Sequence, residues 1–115
     1  MSQESGAKAE DAAAAYLERQ GLKILNRNYR CRYGEIDLIC RDGSTLVFVE
    51  VRLRTSARYG GAAASITSKK QGRLLTAARH YLSSLGSMPE CRFDALLIEE
   101  LQTGQMQWIR NAFGE

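Results

Sequence analysis

Two acidic residues, Asp37 and Glu50, lie in apolar segments where a charge is costly to bury unless it is paired or bound to a metal. The segments GEIDLI (34–39) and VFVEVR (47–52) carry β-branched residues in alternation, which predicts two β-strands. The dipeptide Asp42-Gly43 between them is typical of a tight hairpin turn. We therefore expect the two acids on neighbouring strands of one hairpin.

The register of this hairpin decides whether the two carboxylates meet. A two-residue turn at Asp42-Gly43 puts Glu35 opposite Glu50, with Asp37 on the diagonal. A four-residue loop over 42–45 puts Asp37 directly opposite Glu50. A three-residue loop places Asp37 and Glu50 on opposite faces. The first two registers cluster the carboxylates, and the third separates them.

Clustered carboxylates need a positive partner. At about 5 Å, two carboxylates repel by roughly 3 kcal/mol at an effective dielectric near 20. A divalent cation, the guanidinium of Arg52 or a raised pKa would offset this repulsion. Hard cations such as Mg²⁺ take carboxylate oxygens and bind substrate phosphates, so the pattern predicts a site that cleaves phosphodiesters. The alternative is an exposed hairpin face on which glutamates pair with arginines.

The chain as a whole carries a pattern of residues that matches a known family. The matching positions are Gly6, Glu10, Gly21, Asn28-Tyr29-Arg30, 34–39, 47–52, Tyr59-Gly60, Lys70, Ala78, Tyr81-Leu82, Arg92-Phe93-Asp94 and Asn111-Ala112-Phe113. On these residues the chain resembles the YraN-like family of small bacterial proteins. That family is similar to the restriction-endonuclease fold with its PD-(D/E)xK active site, and archaeal Holliday-junction resolvases are its closest functional analogues.

The resemblance implies roles for four residues, and the clustered acids add Glu35 as a fifth catalytic candidate. Asp37 and Glu50 would be ligands of Mg²⁺ or Mn²⁺, and Glu10 would be the acid on the first helix. Glu10 or Glu35 would hold a second metal or orient the attacking water. Arg52 stands at the lysine position of the motif, which is a departure because guanidinium is a planar fork that stays protonated.

Three functions remain open at this point. The first is a metal-dependent endonuclease that hydrolyses phosphodiester bonds of DNA, branched DNA included, as a homodimer. The second is an accessory protein that keeps the fold and binds nucleic acid with weak or lost catalysis. The retained acids favour the first function, and Arg52 favours the second. The third is a protein-interaction module with a structural acidic pair.

Basic residues cluster where a nucleic-acid backbone would bind. The net charge is +3, from sixteen basic and thirteen acidic residues, and leaving out Glu10, Glu35, Asp37 and Glu50 leaves nine acids. A basic surface around an acidic notch suits a nuclease. Solvated strand and helix faces are the alternative. The candidate contacts are Arg30, Arg54, Arg58, Lys69, Lys70 and Arg73.

The order of elements predicts one α/β domain over residues 1–115, with a restriction-endonuclease-like central mixed sheet flanked by helices. Residues 1–5 are predicted to be disordered, and 55–65 to form a mobile loop beside the site. The sheet is partly parallel if the second helix is a crossover. The predicted helices are 6–20 and 68–85, and the predicted strands are 22–31, 34–41, 45–54, 91–99 and 105–110.

The remaining features predict a cytoplasmic protein with no membrane partner. No apolar run of 18 residues is present, and the N-terminus lacks the pattern of a signal peptide. Cys31, Cys40 and Cys91 are odd in number and widely spaced, which favours reduced thiols over disulfides or zinc. His80 has no ligand partner at helical spacing.

Overall fold

The computed structural model describes residues 3–53, 68–100 and 105–113. It consists of α1 (Gln3–Arg19), β1 (Lys23–Cys31), β2 (Gly34–Asp42), β3 (Thr45–Leu53), α2 (Ser68–Ser83), β4 (Cys91–Glu100) and β5 (Gln105–Phe113). The predicted 55–65 loop, Arg54 and Arg58 lie outside the described residues. Helix α1 begins at Gln3, so part of the segment predicted to be disordered lies in its first turn.

The strands form one sheet of five in the order β1-β2-β3-β4-β5. Strands β3 and β4 are parallel, and the other neighbours are antiparallel. A parallel pair needs a long crossover, and α2 lies within the connection between β3 and β4. The predicted α/β class, with a mixed sheet flanked by helices, is confirmed and is consistent with a restriction-endonuclease-like fold.

Alternation along β3 sends its side chains into two cores. Val47 and Val49 pack in the cluster that contains Leu17 of α1. Phe48 packs in the cluster that contains Leu74 of α2. Because successive side chains of a strand point to opposite faces, the two helices cover opposite faces of the sheet. Strand β3 is therefore buried on both faces, and its acidic residue, Glu50, is buried as well.

Helix α1 ends at a Schellman motif, as the glycine at position 21 predicts. Gly21 has a φ of +100°, and its N–H donates to the carbonyl of Glu18 at 3.0 Å. The N–H of Leu22 donates to the carbonyl of Leu17 at 3.0 Å, and both leucines are buried in one cluster. Glycine adopts this backbone conformation without a Cβ clash. Within the described ranges, neither helix is long and apolar enough to cross a membrane.

Candidate functional site

The β2–β3 hairpin has the register that sets Asp37 against Glu50. Asp42 pairs with Thr45, which leaves a two-residue turn, Gly43-Ser44, one position later than the predicted turn. The first residue of this turn has a φ of +63°, which glycine tolerates. Continued along the strands, the register puts Asp37 opposite Glu50. The register predicted for a four-residue loop is therefore confirmed, and the one predicted for the earlier two-residue turn is wrong.

The paired ladder between β2 and β3 ends just before the two acids. Leu38 and Val49 form its last pair. Two residues further along β3, the backbone N–H of Val51 donates to Oδ2 of Asp37 at 2.8 Å. The side chain of Asp37 thus acts as the acceptor for β3 where the two strands separate. This separation provides the space in which the candidate site residues meet.

Glu50 is buried and has two cationic partners. Its side chain is 4% exposed, and its Oε2 lies 2.7 Å from Nζ of Lys70 and 3.2 Å from Nη2 of Arg52. Arg52 follows on the same strand, whereas Lys70 comes from the first turn of α2. Lys70 was predicted only as a contact to a nucleic-acid backbone, and the structure places its ammonium against a candidate catalytic acid.

The carboxyl groups of Asp37 and Glu50 line one cavity, and each affects the pKa of the other. Burial, followed by the charge of Glu50, raises the pKa of Asp37 to about 8. Burial also raises the pKa of Glu50, against the opposing effect of the Arg52 charge. Because Glu50 is the acid with cationic partners, we assign the shared proton to Asp37. The pair as it stands therefore carries one negative charge near neutral pH.

Helix α1 carries Glu10 to the same place. Nδ2 of Asn28 donates to Oε1 of Glu10 at 2.7 Å. Burial raises the pKa of Glu10, and this hydrogen bond opposes the increase. Asn28 has a φ of +54° and lies on β1 at the level of Asp37, between the partners of Leu38 and Ile36. Asparagine is one of the few residue types that adopt this left-handed conformation routinely.

Asn28 is absent from the residues that the sequence analysis assigned to the site. Its signals are its place among the positions that match the family and its residue type, because asparagine is depleted within strands. A left-handed residue inside a strand re-aims the side chain, and here it aims an amide at Glu10. Asn28 therefore belongs to the candidate site as a residue that positions Glu10.

Glu35 completes the set of predicted acids. It is exposed, and its Oε2 lies 3.3 Å from Nε of Arg30, which was predicted to bind nucleic acid. A cavity of about 260 Å³ brings the site residues together. It is lined by Ala9, Glu10, Glu35, Asp37, Glu50, Val51, Arg52, Leu53 and Lys70. All five predicted catalytic residues therefore line one cavity, with Lys70 added.

The donor set of this cavity suits a hard divalent cation. Mg²⁺ keeps several waters and is held by one or two carboxylates together with substrate phosphates. Within the described residues, no group of three or more acidic, histidine or cysteine side chains is placed to hold a metal by itself. Asp37 and Glu50 would then be the two protein ligands, and a cation would replace the proton that they share.

The same cavity has a cationic side chain suited to an anion. The side chain of Arg52 is 30% exposed and lines the cavity. Its Nε is buried and has no hydrogen-bond partner in the described part of the chain. A phosphate in the cavity would meet the exposed part of the guanidinium side chain. The residues present therefore fit both a cation and a phosphate.

The other predicted basic contacts lie next to this cavity. A second cavity, of about 380 Å³, shares Glu35 and Lys70 with the first. Its lining includes Lys69 and Arg73, both exposed on α2. The structure thus brings these two predicted backbone contacts together beside the acids.

A second buried acid, Asp94, has a different environment. It is 0% exposed and accepts hydrogen bonds from Nε of Arg92 at 3.1 Å, Nε1 of Trp108 at 2.8 Å and the backbone N–H of Asn111 at 2.9 Å. These donors lie on β4 and β5 and satisfy both of its oxygens. Asp94 therefore joins two strands and is not part of the cavity.

The cysteines offer no nucleophile at the site. Cys31, Cys40 and Cys91 are free thiols. Burial raises the pKa of Cys40 to about 12, and burial also raises the pKa of Cys91. The thiolate is the reactive form, so both thiols are inert near neutral pH.

The described residues form a small α/β protein with a mixed sheet. An acidic pair lies where strands β2 and β3 of that sheet separate. The chain belongs to the uncharacterised protein family UPF0102, whose model matches residues 9–98. It is 57% identical over 110 residues to a UPF0102 protein of Nitrosomonas europaea, covering 96% of this chain and 93% of the relative. A UPF0102 protein of Nitrosospira multiformis is 56% identical over 108 residues, covering 94% of this chain and 91% of the relative.

Replacing Asn28 with glycine should raise the pKa of Glu10. Glycine keeps the left-handed backbone but removes the amide that stabilises the Glu10 carboxylate. The free energy of unfolding should change by less than about 1.5 kcal/mol, the usual worth of one hydrogen bond. Side-chain carboxyl NMR titration measures the pKa. The matched control is Asn111→Gly, at a φ of +55° on β5, which should leave the pKa of Glu10 unchanged. An unchanged pKa in Asn28→Gly would contradict the positioning role.

The stability of the metal-free protein should fall as pH rises from about 4 to about 8. The pKa of Asp37 is raised in the folded state, so that state binds more protons than the unfolded chain over this range. The stabilisation is complete below the unfolded pKa and is lost as pH rises through the folded one. Urea titrations in EDTA measure the slope, which Asp37→Asn should flatten. Asp11→Asn, an exposed acid on α1, should keep the wild-type slope. A wild-type slope in Asp37→Asn would refute the assignment.

Proposed function

We propose that this protein is a metal-dependent nuclease that hydrolyses phosphodiester bonds of DNA. The observation that supports the proposal is the convergence of Asp37 and Glu50 in one cavity, with Nζ of Lys70 at 2.7 Å from Glu50. A carboxylate pair that can bind a cation, next to a lysine, is an arrangement suited to phosphate hydrolysis.

The two acids have distinct roles in this proposal. Asp37 gives up the proton that it shares with Glu50, and the N–H of Val51 keeps its Oδ2 in place. Glu50 supplies the second ligand from a buried position. A bound Mg²⁺ or Mn²⁺ supplies Lewis acidity toward a phosphate oxygen and lowers the pKa of water. Glu10, oriented by Asn28, is placed to accept a proton from the attacking water.

In this proposal, Lys70 and Arg52 together take the roles that the resemblance assigns to a single lysine. The ammonium of Lys70 is a compact donor that reaches Glu50 from α2, so it is placed to orient water or to protonate the leaving oxygen. Arg52 lines the cavity with a 30% exposed side chain, so its positive charge would neutralise the charge that builds on the phosphate oxygens. The cavity therefore still contains an ammonium group, that of Lys70, although Arg52 occupies the lysine position of the motif.

One observation favours the alternative, an accessory protein that binds nucleic acid without cutting it. Glu50 already has Lys70 and Arg52 as partners, so the acid is satisfied without a metal. A cleavage assay separates the two functions. Purified protein is incubated with branched, single-stranded and duplex DNA in Mg²⁺, Mn²⁺ or EDTA.

The nuclease proposal predicts products with either metal and none in EDTA. Binding without cleavage in both metals would support the accessory protein instead. The homodimer expected with the nuclease function is part of the proposal, and analytical ultracentrifugation of the same preparation tests it.

A further inference from the structure

A basic groove leads away from the acidic cavity, between the β1–β2 turn and α2. It starts at the second cavity, which shares Glu35 and Lys70 with the acidic one. At Gly34, an added Cβ would lie 3.5 Å from Cβ of Arg73, so the turn is packed directly on the helix. The turn and the helix therefore form the two walls of one groove.

The helical wall carries an exposed stripe of basic side chains. Lys69, Arg73 and His80 are all exposed, and helical spacing puts them on one face. His80 lies ten residues beyond Lys70, which is about 15 Å along the helix axis at 1.5 Å per residue. The stripe therefore runs from Lys69, beside the acidic cavity, past Arg73 to His80, which lies beyond the residues that line the second cavity.

An aromatic ring, that of Tyr33, lies beside His80 at the end of this stripe. Tyr33, in the β1–β2 turn, is 46% exposed. Its ring centroid lies 6.0 Å from that of His80, and the guanidinium of Arg32 lies 5.5 Å from the ring. His80 is itself held by a 2.5 Å hydrogen bond between its Nδ1 and the hydroxyl of Tyr29. Tyr33 thus rests on an ordered cluster and presents much of its surface to solvent.

A single exposed tyrosine is common on protein surfaces, and the residues around Tyr33 are what suggest a binding role. Tyr33 adjoins Gly34 of the second cavity, whose lining includes Lys69, Lys70 and Arg73, and the one acid in that lining, Glu35, is paired with Arg30. Positive side chains along a groove bind a phosphate backbone, and an aromatic face stacks an unpaired base. A base inside a duplex is stacked on both faces, so it has no face to offer.

We propose that this groove binds an unpaired DNA strand next to the scissile bond, with one of its bases stacked on Tyr33. This inference rests on the proposed nuclease function and names its substrate class, which is DNA with an unpaired strand adjoining the cut. About 15 Å of helix is the length of only a few nucleotides of a single strand, so the stacked base lies a few nucleotides from the cavity.

The test measures DNA binding by the full chain in EDTA, where cleavage does not occur. Fluorescence anisotropy compares a single-stranded oligonucleotide, a duplex with a single-stranded tail, and a blunt duplex at one salt concentration. Tyr33→Ala should weaken binding of the first two by about 5- to 150-fold, the usual range for one base stacked on an aromatic ring. Binding of the blunt duplex should stay within twofold.

Two controls separate stacking from a general loss of surface. Tyr33→Phe should retain wild-type affinity because it keeps the ring, and this variant also guards against a folding defect. Met88→Ala removes an 83% exposed side chain that lines neither cavity and should change nothing. Equal weakening on all three DNAs, or no weakening in Tyr33→Ala, would overturn the proposal.

Failure of this inference and failure of the nuclease proposal give different results. If the wild type binds tailed DNA through Tyr33 but cuts nothing in Mg²⁺ or Mn²⁺, the groove proposal is supported and the nuclease proposal is refuted. If the wild type and Tyr33→Ala bind and cut tailed and blunt DNA alike, the nuclease proposal is supported and the groove proposal is refuted.

Discussion

Replacing Asp37 with asparagine or Glu50 with glutamine should abolish Mn²⁺ binding and lower DNA cleavage by at least about 100-fold. Residues that only orient metal ligands already cost 10- to 100-fold, so the loss of a direct ligand should reach the top of that range or beyond it. The amide of Asp37→Asn can still accept the hydrogen bond from Val51, which keeps the strand geometry. Titration calorimetry and a cleavage assay measure the two effects.

Loss of binding in these variants should not be due to unfolding. Asp37→Asn removes a carboxyl group whose pKa is raised by burial and by the charge of Glu50, so the metal-free variant should be more stable than the wild type at pH 8. The control is Asp42→Asn on the same strand, whose carboxylate lies 3.1 Å from Nη1 of Arg92, outside the cavity. This variant should bind Mn²⁺ as the wild type does. Undiminished Mn²⁺ binding by both site variants would rule out the metal site.

The same pair makes the metal affinity depend on pH. A cation and the shared proton compete for Asp37, whose pKa is raised to about 8 by burial and by Glu50. The Mn²⁺ affinity of the wild type should therefore rise with pH and level off above about 8. An affinity independent of pH between 6 and 8 would show that the cation does not replace this proton.

Replacing Lys70 with alanine should lower the cleavage rate by about 10²- to 10⁴-fold, the range of general acid–base catalysis. The reason is the position of its ammonium, 2.7 Å from Oε2 of Glu50 inside the cavity. Lys70→Arg should not restore the rate, because guanidinium cannot give up a proton at neutral pH. Single-turnover kinetics at saturating protein separate the chemical step from DNA binding.

The neighbouring lysine offers a matched control. Lys69 precedes Lys70 in the same turn of α2 and is exposed. Lys69→Ala should weaken DNA binding and reduce the salt slope by about 1, as expected for one phosphate contact, while the single-turnover rate stays near the wild-type value. If Lys69→Ala and Lys70→Ala reduced rate and affinity alike, both lysines would be backbone contacts and the catalytic role of Lys70 would be lost.

Local pattern was enough to place the strands that carry the acids. Alternating β-branched residues around Asp37 and Glu50 predicted β2 and β3, and both formed within one residue of the expected bounds. The prediction succeeded because side-chain alternation is a property of each strand by itself. The helix stop at Gly21 also followed from the sequence, since a left-handed residue at a helix end selects glycine.

The hairpin register was left open because two tight turns compete over the same residues. Asp42-Gly43 and Gly43-Ser44 are both acceptable turn dipeptides, and local chemistry does not separate them. A change from one turn to the other moves the partner of Glu50 from Glu35 to Asp37. The observed register places Leu38 opposite Val49, whereas the earlier turn would place it opposite Val47, which is buried in the same cluster, so side-chain alternation does not separate the two registers either.

By itself, the sequence determined that two acids lie on adjacent strands of an α/β chain, with a basic helix following them. Only the tertiary structure decided that Lys70 reaches Glu50 and that Asn28 turns toward Glu10. Lys70 is twenty residues from Glu50 and meets it because the crossover lays the start of α2 beside the end of β3. Asn28 meets Glu10 because one left-handed residue interrupts the alternation of β1. Contacts between distant elements depend on how those elements pack, and local pattern carries no record of that packing.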